Sequence, residues 1–133
     1  MDQKEISEPD HLHPRIMASP EQVRDIALAF ESSEEAPHFE IISYKVKGKI
    51  FLTVNANAGH VTIRLSPADQ ALYVEYCPGV VYPVASAWGK HGWTHVALDK
   101  VDDELLEALI TTSYCIAAPK KLAAMYLPPP ESR

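Results

Sequence analysis

Residues 39–65, FEIISYKVKGKIFLTVNANAGHVTIRL, decide the fold of this chain. Three runs rich in β-branched and aromatic residues, at 39–46, 49–55 and 60–65, are separated by the turn-forming groups KGK and ANAG. This pattern predicts three antiparallel strands joined by short loops. A one-residue slip between the strands would turn the apolar side chains outward, so the register is well specified. With loops at 47–49 and 56–59, the side chains predicted to face the core are Ile42, Tyr44, Val46, Ile50, Leu52, Val54, Val61, Ile63 and Leu65.

The opposite face of the predicted sheet is polar and basic. Residues 41–68 carry four basic and no acidic side chains, whereas residues 1–40 carry three basic and ten acidic ones. Cations on this face would neutralise phosphates, and Phe51 offers a ring for a base or a sugar. The alternative is a plain solvated face whose tip lysines discourage edge pairing. The face comprises Ser43, Lys45, Phe51, Thr53, Asn55, His60, Thr62 and Arg64, with Lys47 and Lys49 at the hairpin tip.

The flanking segments predict helices that pack on this sheet. A chain of 133 residues with 47% hydrophobic content is the usual size of one domain and is able to bury one core. Serine followed by proline begins two of the helices, and the segment ESSEEAPH ends the first. The sequence therefore predicts a single α+β domain in the order α-β(3)-α-β(2)-α. Beyond the first three strands, the predicted elements are helices at 19–30, 66–77, 102–118 and 119–127 and strands at 78–84 and 93–98.

The segment WGKHGWTHVAL at 88–98 contains both tryptophans of the chain. Its two glycines, Gly89 and Gly92, predict a tight connection before a strand. The two indoles either cap the core at a corner of the sheet or flank a groove that presents Lys90 and His91. The sequence favours a structural role for the glycines and at least one tryptophan. It leaves Lys90 and His91 as the groups offered to a partner.

No arrangement of residues indicates catalysis. His91 and His95 are four residues apart, but this spacing runs from a glycine turn into a strand and lacks the glutamate of a helical zinc motif. The segment GKHGW lacks the serine or threonine and the helix of a phosphate-binding loop. Ser113 and Cys115 lie within a predicted helix rather than on a nucleophile turn. We therefore predict a non-enzymatic protein that uses no metal and no cofactor.

Composition also limits the compartment and the class of partner. No apolar run approaches the ~20 residues of a membrane span, and the acidic N-terminus lacks the pattern of a secretory signal. We expect a cytoplasmic protein without membrane contact. Cys77 and Cys115 lie in or beside apolar stretches, which predicts buried, reduced thiols. The net charge of −6 argues against a general nucleic-acid-coating role.

Six short motifs, taken in order, resemble the MmcQ/YjbR family. They extend from about Pro20 to about Leu122, which is nearly the whole predicted domain. Each motif alone is weakly specific, but six in the right order are specific. They read APHFE, VKGKIF, SPADQALYVE, WGKHGWTHVAL, DDELLEALITTSY and APKKL.

The resemblance implies a secretion-chaperone-like fold with the same element order, and DNA binding through a double wing of hairpins. Because the chain is acidic overall, we expect binding to double-stranded DNA to be weak and salt-sensitive. A protein- or peptide-binding adaptor is the alternative, suggested by the chaperone-like fold and the acidic helices. We expect a flexible arm at 1–18, the domain at 19–127 and a tail at 128–133. The candidate nucleic-acid-binding residues are Lys45, Lys47, Lys49, Phe51, Arg64, Trp88, Lys90 and His91.

Overall fold

A six-stranded antiparallel sheet organises residues 18–127, the part of the chain that the computed structural model describes. The strands lie in the order β1-β2-β3-β4-β6-β5, so β1 and β5 form the edges. The predicted arm, apart from residue 18, and the predicted tail lie outside the described residues. The strands are β1 Ser33–His38, β2 Ile41–Val46, β3 Lys49–Asn55, β4 His60–Arg64, β5 Val81–Pro83 and β6 Trp93–Ala97.

Helices pack on one face of this sheet, which confirms the predicted α+β class. Ser19, Ser66 and Asp102 cap three of the four predicted helices, each accepting a hydrogen bond from a backbone N–H three residues later. Pro119 separates the last two helices, as predicted. The helices are α1 Pro20–Leu28, α2 Pro67–Tyr76, α3 Ala87–Lys90, α4 Asp103–Ala117 and α5 Lys120–Ala123.

The core lies between the sheet and the helices α1 and α4. Leu106, Leu109 and Ile110 of α4 are fully buried against the strands. Most of the predicted core-facing set is buried with them, so the predicted face of the sheet is confirmed. Ile42 is half-buried. The buried members are Tyr44, Val46, Leu52, Val54, Val61, Ile63 and Leu65.

Strand β1 is an element that the sequence did not predict. Its residues, SEEAPH, were interpreted as the end of the first helix, but they pair with β2 along its whole length. The strand is polar, contains Pro37 and lies at the edge of the sheet, where proline and charge are tolerated. Glu35 accepts a hydrogen bond of 2.8 Å from the Tyr44 hydroxyl, which ties the edge to the core. The sheet therefore begins one strand earlier than predicted.

The predicted position of Phe51 is wrong because β3 contains a bulge. Tyr44 pairs with Leu52, but Lys45 pairs with Ile50, so Phe51 is an extra residue in the ladder. Its side chain is fully buried instead of projecting from the polar face, and it contacts the rings of Phe30 and Tyr114. Ile50 is correspondingly turned outward and is 39% exposed. Phe51 therefore belongs to the core and is not available to a nucleic acid.

The hairpin between β2 and β3 is also tighter than predicted. Val46 pairs directly with Lys49, which leaves a two-residue turn in place of a three-residue loop. Both turn residues have positive φ, 50° at Lys47 and 82° at Gly48, as the favoured two-residue hairpin turns require. The bulge at Phe51 compensates for the shorter turn, so Tyr44 and Leu52 still face each other as predicted.

Ser113 of α4 satisfies the backbone groups beside the bulge. Its buried hydroxyl donates to the carbonyl of Phe51 at 2.6 Å and accepts from the backbone N–H of Arg64 at 2.9 Å. Buried backbone groups without partners are costly, so this one side chain stabilises the junction of β3, β4 and α4. The role of Ser113 is structural, and it fixes the backbone from which the Arg64 side chain projects.

Candidate nucleic-acid interface

The basic side chains from two separate parts of the chain lie at the same end of the sheet. The β2–β3 turn carries Lys47 and Lys49 at this end. Leu52 pairs with Ile63, so β4 runs toward the same end, and Arg64 is its last residue. Helix α3, which ends in Lys90, immediately precedes β6 there, because Trp93 pairs with Arg64. The sheet thus brings together two segments that are about 40 residues apart in sequence.

These cations are accessible on or beside the face that the helices leave uncovered. Lys45 lies on the opposite side of β2 from the buried Tyr44, as predicted, and is half-buried. Arg64 lies opposite the buried Ile63 and is exposed. Lys47, Lys49 and Lys90 are exposed as well. We call these five side chains, Lys45, Lys47, Lys49, Arg64 and Lys90, the basic end of the sheet.

The additional strand β1 places one acid next to the basic end. Glu34 is the cross-strand partner of Lys45 and is exposed. The predicted face contained no acid, because the predicted sheet did not include β1. A carboxylate beside a lysine partly neutralises its charge, so Lys45 is the weakest member of the basic end.

The segment predicted as a glycine loop contains a short helix, α3. Ser86 caps it by accepting a hydrogen bond from the backbone N–H of Trp88. Gln70 of α2 holds it from the core side, because its side-chain amide donates to the carbonyls of Gly89 and Trp93. The Ser86 cap and the hydrogen bonds from Gln70 therefore hold the segment between the two tryptophans in place.

The predicted structural role of the two glycines is confirmed. A Cβ atom on Gly89 would lie 1.9 Å from the carbonyl oxygen of Val84. A Cβ atom on Gly92 would lie 1.9 Å from the carbonyl oxygen of Leu65, and Gly92 also has a φ of +100°. Both distances are far below van der Waals contact, so only glycine fits where the backbones approach each other.

The two tryptophans do not cap the core. Trp88 is 63% exposed, and Trp93 lies on the uncovered face beside Arg64. Their ring centroids are 6.2 Å apart with an interplanar angle of 71°. Together with Arg64, Ala87 and His91 they line an open cleft of about 470 Å³. The groove alternative therefore describes this segment better, and we call this feature the tryptophan cleft.

Arg64 joins the tryptophan cleft to the basic end. Its guanidinium carbon lies 6.0 Å from the centroid of the Trp93 ring, within the range of a cation–π contact. Its Nε donates to the backbone carbonyl of His91 at 3.3 Å. These contacts orient the guanidinium while leaving the residue exposed. Arg64 therefore belongs both to the tryptophan cleft and to the basic end.

A second polar cluster lies on the uncovered face, and the sequence did not predict it. The rings of His60 and His95 lie against each other at a tilt of 35°, with centroids 4.0 Å apart, and His95 Nδ1 lies 2.8 Å from the Thr62 hydroxyl. The strand pairing of β4 with β6 creates this contact across 35 residues of sequence, so no local pattern could have revealed it. His95 therefore packs against His60, not beside His91 as a metal-binding pair. Between residues 18 and 127, no cluster of three or more potential metal ligands is present.

Burial lowers the pKa of His60 and of His95, and the neighbouring charge of His60 lowers that of His95 further. Because the folded state resists protonation, the unfolded state takes up more protons below about pH 6.5. The free energy of unfolding should therefore decrease as pH falls from about 7 to 5. His60→Gln should reduce this decrease, as measured by urea unfolding across that range. His38→Gln, at an exposed position, is the matched control, and an equal effect of both variants would contradict the prediction.

The two cysteines are free and half-buried. Burial raises the pKa of the Cys115 thiol, which disfavours the reactive thiolate. Cys77 and Cys115 both pack against the core cluster. Their packing supports the predicted role as small apolar side chains.

The comparison with known families decides the assignment of the chain. A model of the family YjbR matches residues 28–116, which is more than half of the sequence. The chain belongs to the YjbR family. No curated protein matches it. The matched region of this YjbR protein contains the six strands found between residues 18 and 127, both tryptophans and every member of the basic end.

A solved structure supports the same fold for this YjbR protein. The crystal structure of Deinococcus radiodurans protein DR2400, described as a DUF419 domain, superimposes with a TM-score of 0.67. The two chains are 21% identical, and the alignment covers 79% of this chain and 81% of the other. This similarity concerns the fold. Across residues 18–127 of the YjbR protein, no helix has the length and apolarity needed to cross a bilayer.

Proposed function

We propose that this YjbR protein is a non-enzymatic, cytoplasmic DNA-binding protein whose basic end contacts the phosphates of double-stranded DNA. The observation that carries the proposal is the convergence of five cations, from the β2–β3 hairpin, β4 and α3, at one end of the sheet. Four of them are exposed, so they reach a large partner without rearrangement of the fold. The hairpin and the α3 segment would act as the two wings.

The charge distribution favours a polyanionic partner at this end of an otherwise acidic chain. Lys47 and Lys49 flank Gly48 at the two-residue turn of the β2–β3 hairpin, and both are exposed. Arg64 lines the tryptophan cleft, and Lys90 belongs to α3 beside it. Lysine and arginine are the usual ligands of phosphate in DNA complexes, and they position the protein without reading sequence. The proposal therefore predicts little sequence preference from these contacts.

A polypeptide partner is the second candidate, and a different surface favours it. An open cavity of about 780 Å³ lies at the far end of the sheet, between the β3–β4 turn and the segment after β6. It is lined mostly by small and apolar residues, including Gly59, Ala97 and Leu98. Such a surface suits an extended peptide better than a phosphate backbone. If the protein does not bind DNA and instead binds a peptide at this cavity, the polypeptide partner replaces DNA as the proposed partner.

The salt dependence of binding tests the DNA proposal. With four to five phosphate contacts, log K for a duplex of about 15 base pairs should fall with log salt concentration at a slope near −4. Fluorescence anisotropy with a labelled duplex, between about 50 and 200 mM salt, measures this slope. We expect the affinity to drop by about two orders of magnitude over that range. A slope shallower than about −1 would contradict phosphate contact by the basic end.

A further inference from the structure

Both tryptophans of the chain line one cleft, and neither is needed to fill the core. Most of the Trp88 side chain is accessible, at 63% exposure, although it belongs to a segment that α2 and the glycine contacts hold in place. A large aromatic ring that is exposed on a segment held in place is available to a planar partner without rearrangement of the fold. The fold therefore holds the aromatic surface of the tryptophan cleft in place, although this surface is not needed for the core.

The charges around the cleft indicate what kind of ring binds there. Arg64 forms one wall and Lys90 lies two residues beyond Trp88 in α3, whereas the lining residues include no acid. A planar ring attached to a phosphate would stack on Trp88 while its phosphate met Arg64. Each nucleobase has such a face, and stacking on an aromatic side chain is tolerant of sequence. The cleft thus matches a nucleobase of a DNA strand by shape and by charge.

We propose that the tryptophan cleft binds an unpaired nucleobase next to the duplex that the basic end holds. This inference rests on the proposed function and deepens it. A base inside a duplex has both faces covered by its neighbours and does not reach the cleft without being extruded. An overhang, a gap or a frayed end offers its base at no such cost. The preferred partner is therefore double-stranded DNA with adjoining unpaired bases.

A comparison of two duplexes tests this inference. One is a blunt duplex of about 15 base pairs, and the other has the same sequence with an overhang of about four nucleotides. Anisotropy should show about tenfold tighter binding to the overhang duplex. Trp88→Ala should lower the affinity for the overhang duplex to that for the blunt duplex, and Trp88→Phe should retain part of the difference. Because Trp88 is exposed, both variants should keep the thermal midpoint of the parent protein.

Intrinsic fluorescence gives an independent signal, since the only two tryptophans in the sequence both line the cleft. The overhang duplex should quench this fluorescence more than the blunt duplex does at equal saturation. Equal affinity of the parent protein for the two duplexes would overturn the inference. An equal loss of affinity for both duplexes in Trp88→Ala would do the same, and either result would leave the DNA-binding proposal standing. Binding to neither duplex would instead overturn the DNA-binding proposal, and the inference with it.

Discussion

Replacing Gly92 with alanine should destabilise the protein by at least ~3 kcal/mol, the largest effect expected from any single methyl group. Two causes act together. The φ of +100° is unfavourable for any residue with a Cβ atom, and that atom would overlap the carbonyl oxygen of Leu65 at 1.9 Å. Leu65 also donates its backbone N–H to the carbonyl of Gly92 at 2.9 Å, so the two backbones are not free to separate. Urea unfolding followed by circular dichroism measures the change in the free energy of unfolding.

Gly79 provides the matched control for this substitution. Its φ of +80° is also positive, but a Cβ atom there would meet nothing within 4 Å. Gly79→Ala should therefore cost only ~1 kcal/mol, the conformational part of the effect. If Gly92→Ala cost no more than Gly79→Ala, the close approach of the two backbones would not be the cause. The account of the α3 segment as a rigidly held wing would then lose its main support.

The fold of this protein could be predicted from sequence because its central strands alternate regularly. From Ile42 to Val46, and again from Val61 to Leu65, the apolar side chains repeat every second residue, and this period selects one sheet face. Serine–proline pairs mark two helix starts for the physical reason that they cap a helix and fix its first φ. Strand β1 escaped prediction because an edge strand has no such constraint. Backbone pairing with β2 keeps this strand in place, although its sequence has no apolar alternation and consists of three polar residues, an alanine, a proline and a histidine.

The candidate interface was less predictable, because it depends on contacts between distant segments. The accessibility of Trp88 depends on where α3 lies against α2, and Gln70 fixes that position by donating to the carbonyl of Gly89, 19 residues away. The burial of Phe51 depends on a bulge that a shorter turn makes necessary, and turn length is not encoded by alternation alone. The alternation placed Lys45 and Arg64 on the face opposite the core, where the structure has them, but it did not show which aromatic rings lie beside them. Of these two candidate rings, Phe51 is buried in the core, whereas Trp88 is exposed.

Reversing the charge at Lys47 and Lys49 should have the largest effect on DNA binding. Each change to glutamate removes one phosphate contact and adds a negative charge at the tip of the hairpin. At about 50 mM salt, the loss of two contacts should weaken the affinity for duplex DNA by about 100-fold or more. Stability should change little, because both side chains are exposed at a turn. Fluorescence anisotropy gives the affinities, and thermal unfolding checks that the variant is folded.

The most direct test of DNA binding at the basic end compares this variant with a second one of equal charge. Lys120→Glu with Lys121→Glu, at two exposed positions in α5, also changes the net charge from −6 to −10, since each substitution contributes −2. If the basic end is the DNA-binding surface, anisotropy with a blunt duplex at about 50 mM salt should show the 100-fold loss for the hairpin variant. The α5 variant should lose only a fewfold, through long-range repulsion. Equal losses in the two variants, or no binding by the parent protein, would contradict the account.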